Sequence, residues 1–490
     1  MNSSMALQLY LCAVFGLASL FVARWKMSKK FRTSRPPPGP SGWPLIGYIS
    51  ILWERKPWLR FTEWNDVYGP VVQLKVFGKT IVVLNTHKAA FDLLCQRKNV
   101  YNGRPPSILI SDMLTGGLAF PLVNYGDLWK RHRRAATFVL NPRAVEQYHG
   151  YQEHYAEQLA RSLLKDPAAW SEAIKGSLYG LFCSIGYGEA TKDRAAHSIR
   201  DFIGRIVFAA IPGSSITDFF PFIARLPSSV SPLKRRHLAQ FRADNKEFVG
   251  LLSKLQNDIT AGDTMVSGLS GMEDMTVDER AWVIAVLCAI GGEVSSSVLP
   301  TFLLAMALYP DVQRRAQLEI DTVVGKDRFP TFQDRNKLPY VQAIVREVLR
   351  WRPIGPIGFP RASLQDDYYN GHLIKAGSIV VPNIWAMNRD PVLYPDCDEF
   401  RPERFLDFKH DVPGALGQGH VSYGFGDRIC SGMHIANDAL FINIAAMLHT
   451  CDIGQPTNGT TLTKDVFEDF GVVTRPGVFP CKISARKMDL

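Results

Sequence analysis

The chain has 490 residues, a formal net charge of +10 and an apolar share of 46%. This apolar share excludes wholesale disorder, and the excess of positive charge favours acidic partners or a membrane surface. We expect no nucleic-acid partner, because no basic repeat studded with aromatic residues and no nucleic-acid-binding motif is present. The eight cysteines are scattered, with no CxxC pair and no zinc-like spacing, which favours a reducing compartment over a disulfide framework.

The amino-terminal end has the pattern of a membrane anchor. Residues 5–23 (MALQLYLCAVFGLASLFVA) carry no charge and are just long enough to cross a bilayer as a helix. A cleaved signal peptide is the alternative, but positive charge typically precedes its apolar region, whereas here the basic residues follow. We predict that residues 1–4 are lumenal, that 5–23 span the membrane and that the rest is cytoplasmic. Residues 24–48 form a basic, proline-rich hinge, which predicts a stiff extended spacer.

The body of the chain, residues 49–490, shows no internal repeat and no second linker, which predicts a single domain. Residues 69–85 alternate apolar and polar side chains around a Phe-Gly-Lys turn and predict a β-hairpin. Residues 280–308 are apolar nearly all round, with a central glutamate, and predict a long buried core helix rather than a second membrane span. With a helix at 335–352 and short strands within 372–383, the predicted fold class is mainly α with small β-sheets.

One cysteine lies in an unusual context. The stretch SYGFGDRICSGMH, residues 422–434, surrounds Cys430 with glycines and places Arg428 two positions before it. Glycines permit tight turns and the close approach of a flat ligand. A helical pattern follows, so Cys430 lies just before a helix N-terminus, where backbone donors and the macrodipole favour a thiolate. Such a thiolate could ligate a soft or borderline metal, and Arg428 could pair with an acidic cofactor group. The alternative is a buried cysteine in a glycine turn.

Three further charged motifs are each commonplace alone. In VREVLRWRP, Glu347 and Arg350 share a helical face at i, i+3 spacing, which usually means only a surface ion pair. Arg404 lies in the proline-bounded turn FRPERF. In YGDLWKRHRRA, Trp129 and Arg133 share a face at i, i+4 spacing and offer donors suited to a carboxylate, with a solvated basic face as the alternative.

Together, and in this order, these motifs resemble those of the cytochrome P450 monooxygenases. YGFGDRICSG is similar to their haem-binding loop FxxGxRxCxG, EVLR to their ExxR helix, FRPERF to the partner arginine segment and WKRHR to WxxxR. The anchor, the hinge and NIWAMNRDP resemble the microsomal kind, and FLLAMALYPDVQRRAQLEID resembles fungal members. The likeness spans essentially the whole chain. It implies a cytochrome P450 fold preceded by one transmembrane helix, in a single-pass protein of the endoplasmic reticulum membrane.

The resemblance implies a role for each motif residue. Cys430 would be the axial thiolate of the iron of haem (heme b). The haem propionates would be held by three side chains, with Arg361 assisting them: Trp129, Arg133 and Arg428. A buried structural triad would consist of Glu347, Arg350 and Arg404. Electrons would come from NADPH through a membrane-bound cytochrome P450 reductase, whose acidic face would suit the basic segment Lys130–Arg134.

The sequence departs from the family pattern in the core helix. Where the family reads [AG]-G-x-[DE]-T-[TS], this chain reads IGGEVSSS. Gly291 then matches the glycine and Glu293 the acid, while Val294 falls at the threonine position. Ile290 replaces the small residue that the family has beside the iron, and so would narrow the distal pocket. A register shifted by one residue would put Ser295 at the threonine position, but a buried helix tolerates such a slip poorly.

Two other departures are single residues. Tyr423 replaces the first phenylalanine of the haem loop, which haem binding should survive if the added hydroxyl finds a partner. Pro300 is expected to kink the core helix one turn past the active site.

The missing threonine bears on proton supply, because that hydroxyl normally steadies the water that delivers protons. Glu293 and Ser297 are therefore the candidate catalytic residues, with a substrate hydroxyl as a further substitute. We expect either substrate-assisted hydroxylation or leaky coupling with peroxide release.

The substrate is expected to be a lipophilic, largely uncharged small molecule. Its walls would come from a flexible loop at 104–120, a segment at 353–359 and a C-terminal hairpin at 471–477. A terpenoid or polyketide intermediate of fungal secondary metabolism fits by analogy of class. The alternatives are a haem-thiolate isomerase or dehydratase that needs no external electrons, and a catalytically silent haem-binding membrane protein.

Overall fold

The computed structural model describes residues 35–211, 227, 229, 231–256, 263–456, 461–469 and 473–486. The predicted anchor at 5–23 lies outside these residues. The α-helices in chain order are α1 Pro57–Tyr68, α2 His87–Phe91, α3 Lys98–Tyr101, α4 Asp127–Leu140, α5 Pro142–Glu146, α6 His149–Lys165, α7 Trp170–Tyr187, α8 Lys192–Ala209, α9 Pro232–Gln256, α10 Met265–Leu269, α11 Val277–Leu308, α12 Pro310–Val323, α13 Pro339–Trp351, α14 Ile384–Met387 and α15 Met433–Thr450. The strands are β1 Val71–Val76, β2 Lys79–Leu84, β3 Arg361–Ala362, β4 Asp367–Tyr369, β5 His372–Ile374, β6 Ile379–Pro382, β7 Cys451–Gly454, β8 Phe467–Asp469, β9 Thr474–Pro476 and β10 Lys482–Ala485. The prediction of a mainly α fold with small sheets is confirmed.

The core of the molecule is built around α11. Its first turn is capped by the Thr276 side chain, which accepts from the Glu279 N–H, and acidic residues at this end suit the helix dipole. Among the described residues it is the one helix long and apolar enough to cross a bilayer, yet 78% of its most apolar window is buried inside the protein. The prediction of a buried core helix is therefore confirmed. Pro300 lies inside the helix without ending it, and the kink expected there stays a prediction.

Two adjacent glycines let α7 pack closely against α11. A Cβ atom on Gly291 would lie 2.5 Å from the ring of Phe182, and one on Gly292 would lie 2.7 Å from the ring of Tyr179. Since real Cβ atoms do not approach ring carbons so closely, any side chain at these positions would push the helices apart. The glycines thus fix which face of α11 meets α7, and they bring Tyr179 across the helix toward residue 293.

The largest sheet has the strand order β1-β2-β6-β3, and the other sheets have two strands each. β1 and β2 pair antiparallel, with Val71 opposite Leu84, as the alternation predicted. Their turn has φ of 47° at Phe77 and 76° at Gly78. Two consecutive positive φ angles are typical of a type I′ turn, whose twist matches that of the paired strands.

The proline-rich segment is hydrogen-bonded to strands of two sheets, β1 and β5, from Arg35 onward. The Pro38 carbonyl accepts from the Gln73 N–H at 2.8 Å, and the Arg35 carbonyl accepts from the Leu373 N–H at 2.9 Å. A Cβ atom on Gly39 would lie 1.9 Å from the Gln73 carbonyl oxygen, so only glycine fits there. The folded body therefore includes these hinge residues as well as those from 49 onward, because the prolines leave carbonyl groups that a neighbouring strand can use.

A buried charge cluster connects α13 to the segment before the cysteine loop, residues 422–434. Glu347 and Arg350 are both fully buried and form two hydrogen bonds, Nε to Oε2 at 2.6 Å and Nη2 to Oε1 at 2.8 Å. Arg404 adds a third contact, Nε to Glu347 Oε1 at 3.2 Å. Arg350 also donates to the carbonyls of Asn388 and Cys397. The predicted triad is confirmed, and it fixes the path of the chain that leads to Cys430.

Two predicted segments differ in detail from the structure. The helix predicted at 335–352 is divided into a 3₁₀ segment, Phe332–Lys337, and α13, because Pro339 starts a new helix at its first position. The segment predicted as a flexible loop, 104–120, contains a π-helical segment, Ile108–Leu114. The Ser107 side chain caps its N-terminus by accepting from the Ile110 N–H. Local hydroxyl capping gives this segment a regular structure.

Candidate functional site

The cysteine loop is shaped by its glycines. Gly424 and Gly426 have φ of 81° and 58°, in the left-handed region that glycine tolerates. A Cβ atom on Gly426 would lie 2.2 Å from the Leu94 carbonyl oxygen, so the loop packs against its neighbour through bare backbone. The Cys430 N–H donates to the Tyr423 carbonyl at 2.9 Å and closes the loop. These contacts hold Cys430 three residues before the first residue of α15, as the sequence predicted.

The Cys430 thiol combines an exposed side chain with an enclosed environment. The side chain is exposed, whereas burial raises the pKa of its thiol, an effect that the Gly432 N–H and Arg133 partly oppose. Both observations fit a sulfur that opens onto a space inside the protein. Burial disfavours a thiolate that has no cation beside it, and coordination to a metal removes the proton outright.

No cluster of three or more His, Cys, Asp or Glu residues that could hold a metal ion occurs in the part of the chain that the structure describes. One available sulfur without companion ligands does not make a closed zinc-type site. It suits a group that brings its own equatorial ligands, and a haem does so.

Four arginines converge around this loop, two buried (Arg104 and Arg361) and two half-buried (Arg133 and Arg428), and none of them forms an ion pair with a carboxylate in the described residues. Three were predicted and the structure adds Arg104. Arg428 donates to the carbonyls of Asn102 at 2.7 Å and Val123 at 2.9 Å, and its Nη1 is buried with no partner. Arg361 donates to the Phe425 carbonyl at 2.7 Å. Arg133 donates to the Ile429 carbonyl at 2.7 Å, and Arg104 donates to the carbonyls of Pro121, Phe359 and Pro360.

The concentration of positive charge is visible in the pKa values. Burial lowers the pKa of Arg428 to about 9, and the charges of Arg361 and Arg133 add to the effect. Burial likewise lowers the pKa of Arg361 to about 10. Buried charges are normally paired, so a cluster of cations satisfied only by carbonyls calls for an anion. The two carboxylates of a haem fit this requirement.

Trp129 completes this side of the site. Its ring is buried, and the Arg428 guanidinium lies over it at 4.8 Å. A cation stacked on an indole face is held in orientation as well as stabilised. The structure therefore brings together all five predicted cofactor residues: Trp129, Arg133, Arg361, Arg428 and Cys430. Sequence reasoning missed Arg104, because it lies in a segment assigned to the substrate wall.

The two candidate catalytic residues also lie together, on the core helix. Glu293 accepts from the Tyr179 hydroxyl at 2.7 Å and from Arg475 Nη1 at 2.9 Å. Ser297 is fully buried, donates to the Glu293 carbonyl at 2.8 Å and accepts from Arg475 Nη1 at 3.0 Å. Arg475 was missed, although it is the one charged residue in GVVTRPG. Burial and the neighbouring Glu293 raise the pKa of Tyr179, so this hydroxyl stays a donor.

The exposure of side chains along the core helix indicates how its sequence aligns with the family motif. Ile290 and Val294 are four residues apart, therefore on one face, and both are half-buried, whereas Ser295 is buried. The partly open face is thus the one that carries Val294. This geometry favours the register that places Val294, not Ser295, at the threonine position.

The hydroxyl that Tyr423 adds to the cysteine loop forms a hydrogen bond. It donates to Asn437 Oδ1 at 2.7 Å, and Asn437 in turn donates to Gln418 Oε1 at 3.0 Å. Burial raises the pKa of Tyr423, so the hydroxyl stays neutral and donating. The substitution therefore adds a tie between the haem loop and α15.

We predict that Tyr423→Phe lowers the free energy of unfolding by about 1 kcal/mol, the typical net value of one hydrogen bond. The measurement is thermal unfolding of the haem-loaded protein. The matched control is Tyr187→Phe, since the Tyr187 hydroxyl is fully buried without a hydrogen-bond partner. Equal loss in both variants, or no loss at Tyr423, would show that the hydroxyl does not stabilise the loop.

Comparisons with known proteins agree with this geometry. The sequence model of the family described as Cytochrome P450 matches residues 37–480. Cytochrome P450 monooxygenase 253 of Postia placenta is 40% identical over 506 residues, covering 100% of this chain and 95% of its own. Cytochrome P450 monooxygenase iboC of Amanita muscaria is 34% identical, covering 97% and 95%. A zebra fish cytochrome P450 solved with progesterone superposes with a TM-score of 0.71 at 25% identity, covering 88% of this chain and 99% of that one.

These relatives span nearly the full length of the chain, and the site holds the cysteine and the cationic cradle that a thiolate-ligated haem needs. The chain belongs to the cytochrome P450 family, as a haem-dependent monooxygenase of the fungal type.

Proposed function

We propose that this protein inserts one oxygen atom from dioxygen into an uncharged lipophilic small molecule of fungal secondary metabolism, such as a terpenoid or polyketide. Electrons come from NADPH through cytochrome P450 reductase, and residues 5–23 anchor the enzyme in the endoplasmic reticulum membrane. The observation that carries the catalytic part of this proposal is the cradle: one cysteine before a helix N-terminus, beside four buried or half-buried arginines that have no carboxylate partner among the described residues.

The substrate class is supported by the charges of the expected walls. The segment Ile108–Leu114 itself contributes four buried apolar side chains: Leu109, Ile110, Met113 and Leu114. The charged side chain of the C-terminal hairpin that reaches the core helix, Arg475, is paired with Glu293. A neutralised cation gives no reason to expect a charged substrate. The zebra fish relative was solved with a lipophilic steroid, progesterone, which agrees with an apolar pocket in this fold.

Each part of the site has a distinct task. Bound haem supplies the reductive activation of dioxygen, with one oxygen atom leaving as water. Cys430 would provide the thiolate that holds the iron, and the arginines with Trp129 would hold the propionates and so orient the ring. Glu293, next to Val294 on the core helix, supports proton supply, and Ser297 takes part as an oriented hydroxyl that donates to the Glu293 carbonyl. The buried apolar residues of the Ile108–Leu114 segment are expected to exclude water from the reacting carbon.

We predict that Val294→Thr raises the product formed per NADPH consumed and lowers the release of hydrogen peroxide. A hydroxyl at this position would order water on the partly open face of α11. Proton transfer by a positioned group typically raises the reaction rate about 10²–10⁴-fold, and the wild-type chain already achieves part of this increase. We therefore expect a gain of several-fold, measured as product and peroxide against NADPH.

The matched control for this substitution is Val298→Thr. Val298 is on the same helix but buried, so its hydroxyl is expected to leave coupling unimproved. If Val294→Thr leaves coupling unchanged, the water is organised elsewhere.

The proposed reductase site is the exposed surface of α4. Lys130 and Arg134 each expose 56% of their side chains and form ion pairs with Asp127 and Asp274. Surface pairs of this kind are weak, so both cations can exchange partners with an acidic docking face. The positive charge of the whole chain acts in the same direction.

The proposed function is tested by reconstitution. The full chain, combined in membranes with a fungal cytochrome P450 reductase and NADPH, is screened against terpenoids and polyketides under isotopically labelled dioxygen. We expect a product that carries one labelled oxygen and requires NADPH. Because Val294 weakens the usual proton path, an isomerase or dehydratase is the second candidate, and conversion that needs neither NADPH nor reductase would favour it.

A further inference from the structure

Arg475 connects the C-terminal hairpin, β8 and β9, to the core helix beside the distal face. From β9 its Nη1 reaches Glu293 Oε1 at 2.9 Å and Ser297 Oγ at 3.0 Å. The pair is largely enclosed, with 19% of the Arg475 side chain and 15% of the Glu293 side chain exposed. The strand itself is fixed by the Thr474 N–H, which donates to the Ile354 carbonyl at 2.8 Å. The guanidinium therefore approaches the helix from a held backbone.

Glu293 is held from two sides. Arg475 donates to Oε1, and the Tyr179 hydroxyl on α7 donates to Oε2 at 2.7 Å. Tyr179 reaches across only because residue 292 is glycine, as its Cβ atom would meet the ring at 2.7 Å. Among the described residues, the charged groups near this cluster include Arg200, 5.6 Å over the Tyr179 ring, and Glu468, opposite Arg475 in the hairpin. Both carboxylate oxygens thus have a fixed donor.

The hydroxyl of Ser297 is committed by the same contacts. It donates its one proton to the Glu293 carbonyl at 2.8 Å, while its oxygen accepts from Arg475. Since a hydroxyl has one hydrogen to donate, Ser297 is oriented and does not offer a proton of its own. The remaining variable in this cluster is the position of the Glu293 carboxylate, and the hydrogen bond from Arg475 fixes it.

We propose that Arg475 is a positioning residue for the monooxygenase reaction. It fixes the Glu293 carboxylate and the Ser297 hydroxyl beside Val294, and so replaces the ordering of water that a threonine hydroxyl at position 294 would give. This inference rests on the proposed function, in which Glu293 supports proton supply. Without Arg475, the largely enclosed Glu293 carboxylate keeps only the Tyr179 donor, so its orientation is no longer fixed.

The test compares Arg475→Leu, Arg475→Lys and the double variant Arg475→Leu/Glu293→Gln with wild-type protein. Each haem-loaded protein is mixed with reductase and NADPH, without added substrate, and hydrogen peroxide per NADPH is measured at neutral pH. For Arg475→Leu we expect a several-fold higher ratio than for the wild type, because the Glu293 carboxylate is no longer held in one orientation beside Val294. Arg475→Lys restores most of the wild-type ratio, and the double variant is as high as Arg475→Leu.

A second readout does not depend on turnover. Hydrogen–deuterium exchange of peptides that cover 461–476 should increase equally in Arg475→Leu and Glu293→Gln, with no further increase in the double variant. The matched control is Arg205→Leu, which removes a comparable ion pair to Asp244, 2.6 Å long, between α8 and α9. It should leave both the peroxide ratio and the hairpin exchange at wild-type values.

The outcomes separate the two proposals. Faster hairpin exchange in Arg475→Leu together with a wild-type peroxide ratio would overturn the positioning role and leave a purely structural contact. If Arg475→Leu changes neither the hairpin exchange nor the peroxide ratio, the stabilising contact between the hairpin and the core helix is contradicted as well. A wild-type protein that binds haem but consumes no NADPH with reductase would contradict the monooxygenase function, and the exchange measurement would still decide on the contact.

Discussion

Cys430→Ser reduces monooxygenase turnover to background while the fold persists. The hydroxyl of serine is a far weaker ligand than a thiolate at neutral pH, and it cannot supply the electron density that favours cleavage of the oxygen–oxygen bond. The arginine cradle is left intact, because Arg133, Arg361 and Arg428 are held by backbone carbonyls rather than by the sulfur. We therefore expect partial retention of haem, measured by absorbance per protein, together with loss of turnover.

Cys397→Ser is the matched control for this substitution. Cys397 is a free, partly buried cysteine whose carbonyl, not its thiol, accepts from Arg350. We expect wild-type haem content and turnover in this variant. Turnover that survives in Cys430→Ser would show that another group ligates the iron.

Glu347→Gln destabilises the whole protein. It leaves Arg350, fully buried, and Arg404 without the carboxylate that both contact. Breaking a buried ion pair by removing one partner costs about 3–5 kcal/mol, a large part of the roughly 5–15 kcal/mol that separates folded from unfolded protein. We expect little haem-loaded protein in the membrane fraction and a markedly lower melting temperature for what remains.

The contrast variant for Glu347 is Glu157→Gln. Glu157 pairs with Arg161 on the surface of α6, where the two side chains are 41% and 67% exposed. Exposed pairs at this spacing contribute about 0.3–0.5 kcal/mol, so we expect near wild-type yield and haem content. Equal loss in the two variants would contradict the structural role of the triad. Partial recovery in Glu347→Leu/Arg350→Met would support it, because an apolar pair removes both buried charges together.

The parts of the fold that sequence predicted best are those set by local pattern. The core helix follows from an apolar run too long for a strand, and the β1–β2 hairpin from alternation around a turn with Gly78. The convergence of Trp129, Arg133, Arg428 and Cys430 was also predictable, because each lies in a short motif with fixed spacing, whereas Arg361 lies in none. In the triad, the pairing of Glu347 with Arg350 follows directly from their i, i+3 spacing.

The contacts that sequence could not predict join distant parts of the chain. Arg475 and Glu293 are 182 residues apart, and no spacing rule relates a hairpin residue to a helix residue. Arg104 joins the cationic cradle through carbonyls at 121, 359 and 360, which carry no signal in the side-chain sequence. The attachment of the proline segment is likewise made by backbone groups. In each case the partner is chosen by tertiary packing, which one sequence does not record.

The most direct test of the central claim is the difference spectrum of the reduced, carbon monoxide-bound protein, recorded on the full chain in membranes. The claim is that Cys430 ligates haem iron as a thiolate inside the arginine cradle. It predicts a strongly red-shifted Soret band in the wild type and in Cys397→Ser, and no such band in Cys430→Ser. Well-folded wild-type protein that binds haem without this band would contradict thiolate ligation, and with it the proposed chemistry.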